Sequence, residues 1–258
     1  MKALPLLSSG IFALALSTAA MAQTVRPVIN EAGNPAKGRV EYVNDADTPL
    51  NVVLEAKSFT VSENGVVEYR PLDPSIHLKL SATSFRIQPK QSYFVFYEAS
   101  STPNPNWFVI YASFSGFAFR TAQGMNVRLQ LPHTVYLLPK EKPEKADVHV
   151  VRAELDEAHD KVLLEVENTS NNFGRVLQTQ LANGRKKQDA PGFPIFPHSK
   201  RILEVPLDAK TAKDTLPTDV SLQFENFKVE EKLQTKPNSN LELASTSPSA
   251  PGSAGDKH

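Results

Sequence analysis

The chain has 258 residues, and its 28 lysines and arginines are balanced by 28 aspartates and glutamates, so no net field draws it to nucleic acid or anionic lipid. It contains no cysteine, which excludes disulfides, thiol nucleophiles and cysteine-ligated zinc or iron–sulfur centres. Apolar residues make up 40% of it, and twenty prolines against eleven glycines, with runs of Val, Thr, Phe and Tyr, favour strands and turns over helices.

Residues 1–22 have the pattern of a cleaved export signal: Lys2, an apolar stretch from Leu4 to Leu16, and the small-x-small site Ala20-Met21-Ala22. The apolar stretch is short and broken by Pro5, Ser8, Ser9 and Gly10, so it predicts cleavage after Ala22 and not a spanning helix. No second apolar segment of spanning length follows, and no membrane insertion is expected.

The first strand, Thr24 to Ile29, carries Pro27 and suits a sheet edge. Gly38 to Asn44 and Asn51 to Thr60 follow, then Asn64-Gly65, the strongest hairpin signal in the chain, and Val66 to Tyr69. Ser84 to Ile87, Tyr93 to Tyr97 (read as a buried strand), Asn106 to Ser113 and the stretch Gly124 to Pro139 complete the first series. Short strands punctuated by turns are the sequence form of a β-sandwich. In the last of them Met125, Val127, Leu129 and Leu131 alternate with polar residues, which places all four on one face. Val135 to Leu138 is a continuous apolar run, the pattern of a strand buried on both sides. The apolar row is covered either by the protein's own core or by another chain, and the pattern alone leaves both open.

Residues 140–147 are charged, contain Pro143, and read as a linker. A second series begins at Val148: Val148 to Leu155, Val162 to Glu167, Arg175 to Leu181, Gly192 to Phe196, Arg201 to Leu207 and Val220 to Val229. The predicted organisation is all-β with two immunoglobulin-like sandwiches, residues 23–139 and 148–232, and a disordered tail, 233–258.

Catalytic and metal chemistry leave no sequence signal. The six histidines lack metal-site spacing, and there is no nucleophile elbow, phosphate loop or glycosidase-like carboxylate pair, so no enzyme activity, metal or cofactor is expected. The aromatic clusters Tyr93/Phe94/Phe96/Tyr97 and Phe114/Phe117/Phe119 read as core, with a stacking platform for sugars or bases as the alternative. Asn168-Thr169-Ser170 matches a glycosylation sequon, a common chance match.

Four segments resemble the periplasmic pilus-assembly chaperones of the chaperone–usher type (PapD-like). They are Val25 to Ile29 with Arg26 at its head, Gly38 to Pro49, Phe85 to Ser92, and, in the second half, Val162 to Asn168 with Phe193 to Ser199. The resemblance implies a periplasmic protein that binds pilus or fimbrial subunits and delivers them to an outer-membrane usher. It also implies donor-strand complementation: the last strand of the first domain fills the groove of an incomplete subunit, with Met125, Val127, Leu129 and Leu131 as donated side chains. Such a strand also offers a route to self-association. The family anchors the subunit's terminal carboxylate with an arginine, matched by Arg26, and a lysine. The lysine's position here holds Thr134, beside His133, so the anchor implied is Arg26 with His133 and Thr134. Asn106-Trp107 and Lys90 are further departures, the first removing the acidic residue of the family's contact between domains. The alternative reading is a structural or adhesive surface protein with sandwich spacers and a glycan-binding aromatic platform.

Overall fold

The computed structural model describes residues 23–116, 129–156, 160–208 and 216–235. Among them every regular element is a strand except a 3-10 turn at Lys145–Asp147, and the strands form two sandwiches of two sheets each.

The first sandwich begins with β1 (Thr24–Arg26), β2 (Ile29–Gly33), β3 (Ala36–Asn44), β4 (Leu50–Val61) and β5 (Val67–Pro71). It continues with β6 (Ile76–Leu80), β7 (Ser84–Ile87), β8 (Gln91–Ser101), β9 (Asn106–Ser115) and β10 (Leu129–Leu138). One sheet runs β1-β3-β8-β6, and the other runs β2-β10-β9-β4-β5 with β7 also against β4. The chain changes sheets at Pro27–Val28, so β1 and β2 are both edges, as a proline there requires. Asn64-Gly65 turns β4 into β5, with Gly65 at φ 81°, a left-handed conformation that glycine adopts without a Cβ penalty. Val40, Tyr42, Leu50, Val95, Phe108, Ile110, Phe114, Val135 and Leu137 are fully buried between the sheets.

Two expectations in this half need correction. Ile76-His77-Leu78-Lys79-Leu80 forms β6, a strand the sequence reading omitted although its apolar residues alternate. The Tyr93–Tyr97 run is buried on one face only: Val95 and Tyr97 point inward, whereas Tyr93, Phe94 and Phe96 are 37%, 42% and 58% exposed. An all-apolar run hides the two-residue period that the backbone still obeys. Phe114 is core, and Phe117 and Phe119 lie outside the described residues.

The second sandwich comprises β11 (Val148–Asp156), β12 (Lys161–Asn168), β13 (Gly174–Asn183), β14 (Lys186–Ile195), β15 (Ser199–Pro206), β16 (Asp219–Gln223), β17 (Lys228–Lys232) and β18 (Gln234–Thr235). Its sheets run β15-β12-β11-β18 and β14-β13-β16-β17 around Leu155, Val162, Leu164, Leu181, Ile195 and Leu222. The segment read as one strand, Val220 to Val229, is two strands joined by a turn closed by Phe224 N–H donating to the Phe227 carbonyl (2.9 Å). The expected start of the disordered tail is also too early, because β18 pairs parallel with Glu154 and Leu155 of β11.

The same device closes a strand in each domain. Asn44, fully buried at the end of β3, donates to the carbonyls of Thr48, Ile87 and Gln88 (2.9, 3.2 and 3.1 Å) and accepts from Ala46 N–H (3.0 Å). Asn168 at the end of β12 donates to Asn172 and Phe196 carbonyls (2.8 and 3.1 Å) and accepts from Ser170 N–H and Oγ. With its side chain buried and fully bonded, the Asn168 sequon is not a surface acceptor.

A third apolar cluster joins the two domains. Tyr136 of β10 packs on Phe173 (ring centroids 4.7 Å apart), and Trp107 of β9 packs on Phe196 (4.5 Å) and donates from Nε1 to the Phe59 carbonyl (2.8 Å). The β4–β5 hairpin rests on β15, where Ile202 N–H donates to the Glu63 carbonyl (2.8 Å) and the Arg201 guanidinium lies where a Cβ on Gly65 would stand.

Candidate subunit-binding edge

β10 is antiparallel to β9 along its whole described length, from Leu129 opposite Phe114 to Leu137 opposite Asn106. Its other side is covered by β2 only from Thr134 to Leu138. Between Leu129 and His133 no strand among the described residues lies on that side, so half of β10 is an open edge.

The direction of the free groups follows from one bond. Thr134 N–H donates to the Val28 carbonyl (2.8 Å), so the even-numbered residues of β10 turn their N–H and C=O groups away from β9. Gln130 therefore presents a donor and an acceptor to the open side, while its side chain is tied to Ser113 Oγ (2.9 Å). Pro132 presents only a carbonyl. A proline at that step weakens the edge where it meets β2, because it offers an acceptor and no donor.

The odd-numbered side chains share the core face. Val135 and Leu137 are fully buried there, and Leu131 and Leu129 pack against the same core but are only partly buried. The apolar row thus begins inside the protein's own sandwich and emerges from it towards residue 129. Met125 and Val127 lie outside the described residues.

His133 has the same parity and is fully buried. Its Nδ1 is 2.6 Å from the Pro27 carbonyl, which can only accept, so Nδ1 carries the proton. Nε2 is then bare and faces Tyr97 Oη (3.4 Å), whose O–H is the donor of that contact while its oxygen accepts from Asn30 Nδ2 (2.6 Å). Burial lowers the His133 pKa below the usual imidazole value, with the Pro27 hydrogen bond opposing part of that shift. His133 is therefore a neutral structural link between β10, β8 and the β1–β2 crossover.

The other two anchor candidates point elsewhere. Thr134 has the parity of Tyr136, on the face of β10 turned towards the second domain. Arg26 follows the buried Val25, stands directly opposite Glu41, and is exposed on the outer face of the first sheet. The structure places His133 and Thr134 next to each other on one strand, with their side chains on opposite faces. Arg26 is the one charged group of the three.

The contact between the domains is carried by a residue that sequence reasoning missed. Arg175 of β13 forms an ion pair through Nε with Glu31 of β2, and its guanidinium carbon lies 5.3 Å from the Tyr136 ring centroid and 5.7 Å from that of Phe173. Lys142 pairs with Glu225 across the same corner. These pairs and the aromatic cluster stand where the absence of an acid at Asn106-Trp107 left the contact between domains open.

No family model and no curated protein matches the sequence. Solved structures match its fold. The YadV chaperone is similar over 83% of this chain and 100% of its own, at 10% identity and a TM-score of 0.53. The complex of the Salmonella enterica SafA pilin with the SafB chaperone contains a chain similar over 84% of this one and 99% of its own, at 13% identity and a TM-score of 0.51. A chaperone–tip adhesin complex of CFA/I fimbriae biogenesis matches over 82% and 98%, at 9% identity and a TM-score of 0.51. The fold of this chain, two immunoglobulin-like sandwiches meeting at an aromatic corner, is that of the PapD-like chaperones of pilus assembly.

Proposed function

We propose that the protein is a periplasmic chaperone that caps pilus or fimbrial subunits by donor-strand complementation and delivers them to an outer-membrane usher. The observation that carries this reading is the open edge of β10 from Leu129 to His133, beside an apolar row that leaves its own core half-covered. A strand added there extends the second sheet through backbone bonds. Leu129 and Leu131, with Val127 and Met125 continuing the row in sequence, fill the subunit's groove. Each aliphatic side chain fully buried in that way contributes about 1.5–3 kcal/mol. Val28 and Ile29, 54% and 47% exposed where β2 begins, extend the apolar surface next to the edge. Arg26 is the cation available to the subunit's terminal carboxylate, a role that neutral, buried His133 does not share. Release needs no nucleotide or other cofactor, because completion of the subunit's own fold drives it.

The test is the double substitution Val127→Asp/Leu129→Asp. Two carboxylates in an apolar groove have no partners, and capture of the cognate subunit in co-purification is expected to fall by about 100-fold or more. The variant's own melting temperature, measured alongside, separates lost capture from lost folding, because Leu129 also packs against the first core. Wild-type yield of the complex would overturn donor-strand binding. The adhesive reading has one observation in its favour, the exposed Phe94 and Phe96 with Arg39 5.4 Å over the Phe94 ring. Glycan-array binding that survives Val127→Asp/Leu129→Asp and is lost in Phe94→Ala/Phe96→Ala would support it instead.

A further inference from the structure

β2 decides where the open edge of β10 stops, yet little in its own sequence holds it down. It is five residues long, alternates exposed and half-buried positions, and contributes only Ala32, partly buried, to the core. Its pairing with β10 is parallel, the slightly weaker geometry. Its ends are tied by Asn30 to Tyr97 Oη and by Asn34, which donates to the Ser101 carbonyl (2.7 Å) and accepts from Ser101 N–H (3.1 Å). Its middle is held from the other domain. Glu31 stands directly opposite Tyr136 in the β2–β10 register, and Arg175 touches both members of that pair, one by the ion pair and the other by holding its guanidinium carbon 5.3 Å over the ring.

We propose that Arg175 is the positioning residue that sets the length of the docking edge, a deduction that rests on β10 being the docking strand. By clamping β2 onto β10, it leaves Leu129 to His133 for a partner strand and keeps Thr134 to Leu138 covered. The geometry suits arginine: the charge reaches Glu31 while the flat guanidinium covers Tyr136, and a lysine ammonium offers no such plane. With β2 released, the apolar run Val135 to Leu138 becomes a second stretch of unpaired edge, a template for another copy of the chain. The second domain thus limits what the first can bind, through one side chain 144 residues from its partner in sequence.

The experiment is charge reversal with rescue, read by amide hydrogen exchange in the free protein and by sedimentation. Tyr136 and Leu138 share the parity of Thr134, so their N–H groups face β2 and report its detachment. Arg175→Glu and Glu31→Arg are each expected to speed exchange at Tyr136 and Leu138 by about tenfold or more and to promote self-association. The double variant Glu31→Arg/Arg175→Glu restores the ion pair but not the cation over the Tyr136 ring, so it is expected to exchange measurably more slowly at both amides than either single reversal, while Val95 in the β3–β8 pair stays unchanged throughout. Arg175→Lys, the mildest change, is expected to give intermediate exchange. Wild-type rates in the single reversals, or no rescue in the double variant, would overturn the clamp. The two ideas fail separately: loss of the clamp signature leaves subunit capture standing, and unchanged capture by Val127→Asp/Leu129→Asp leaves the clamp standing.

Discussion

Asn44→Ala is expected to destabilise the first domain by about 3–4 kcal/mol and lower its melting temperature by roughly 10–20 °C, measured by circular dichroism. The substitution strips a donor from the Thr48 and Ile87 carbonyls and from the Gln88 carbonyl, which keeps a bond from Gln91 N–H (3.2 Å), and an acceptor from Ala46 N–H, all at a side chain with no water access. Each buried group left unpaired costs about 1–3 kcal/mol, a large share of the stability of a domain of this size. Asn168→Ala removes the matching latch in the second domain and is expected to cost less, about 2 kcal/mol. There the Phe196 carbonyl also accepts from Ser199 Oγ (2.8 Å), and the Asn172 carbonyl also accepts from Ser170 Oγ (3.3 Å), so neither is orphaned. An equal or larger loss for Asn168→Ala would show that something other than these bonds sets the cost.

Gly192→Ala is expected to be comparably severe, about 3 kcal/mol, for a steric reason. A Cβ at Gly192 would fall onto the Val176 carbonyl oxygen and within 2.6 Å of the Leu177 carbonyl carbon and oxygen, all backbone atoms of the neighbouring strand β13. Backbone paired in a sheet cannot swing aside as a side-chain tip does, so the two strands must separate. β13 also carries Arg175, and its displacement should be felt at the corner between the domains. Trp107, the sole tryptophan, packs there against Phe196, so its emission should shift to the red in the variant at low denaturant. Gly33→Ala is the control, because an added methyl there meets nothing within 4 Å. A urea midpoint for Gly192→Ala equal to that of Gly33→Ala would refute the close approach.

Most strands were legible because their alternation and their turns agree. Asn64-Gly65 forms the turn it announces, with positive φ at the glycine. β6 was equally legible and was passed over, since Ile76, Leu78 and Leu80 alternate with His77 and Lys79. The exposed Phe94 and Phe96 were hidden for the opposite reason: in a run with no polar residue, composition reports burial on both faces while the pleat allows only one. His133 was misleading beside Thr134 in the list of residues, but its parity with Val135 and Leu137 already put it in the core, where burial keeps it neutral. Lys90 takes the left-handed φ of 57° that a glycine adopts more readily, with Nζ paired to Asp47 (3.1 Å). Arg175 was not legible at all. Its partners Glu31 and Tyr136 belong to another domain, and no local pattern encodes a contact made only when two sandwiches meet.

The candidate site follows the same division. Period two in Met125 to Leu131 announced a one-faced apolar row, but not whether the row was free. The register of β2, which covers β10 only from Thr134 onward, and the direction of a single amide leave the backbone of Leu129 to His133 without a neighbouring strand among the described residues.

The central claim is that a partner strand pairs with the open edge of β10, and the Gln130 amide tests it most directly. Its N–H faces the open side, whereas the N–H groups of Leu129 and Leu131 face β9. On forming a complex with the cognate subunit, Gln130 exchange is expected to slow by about 100-fold or more, with Leu131 changing far less. A complex in which Gln130 exchanges at the rate of the free protein would contradict the claim.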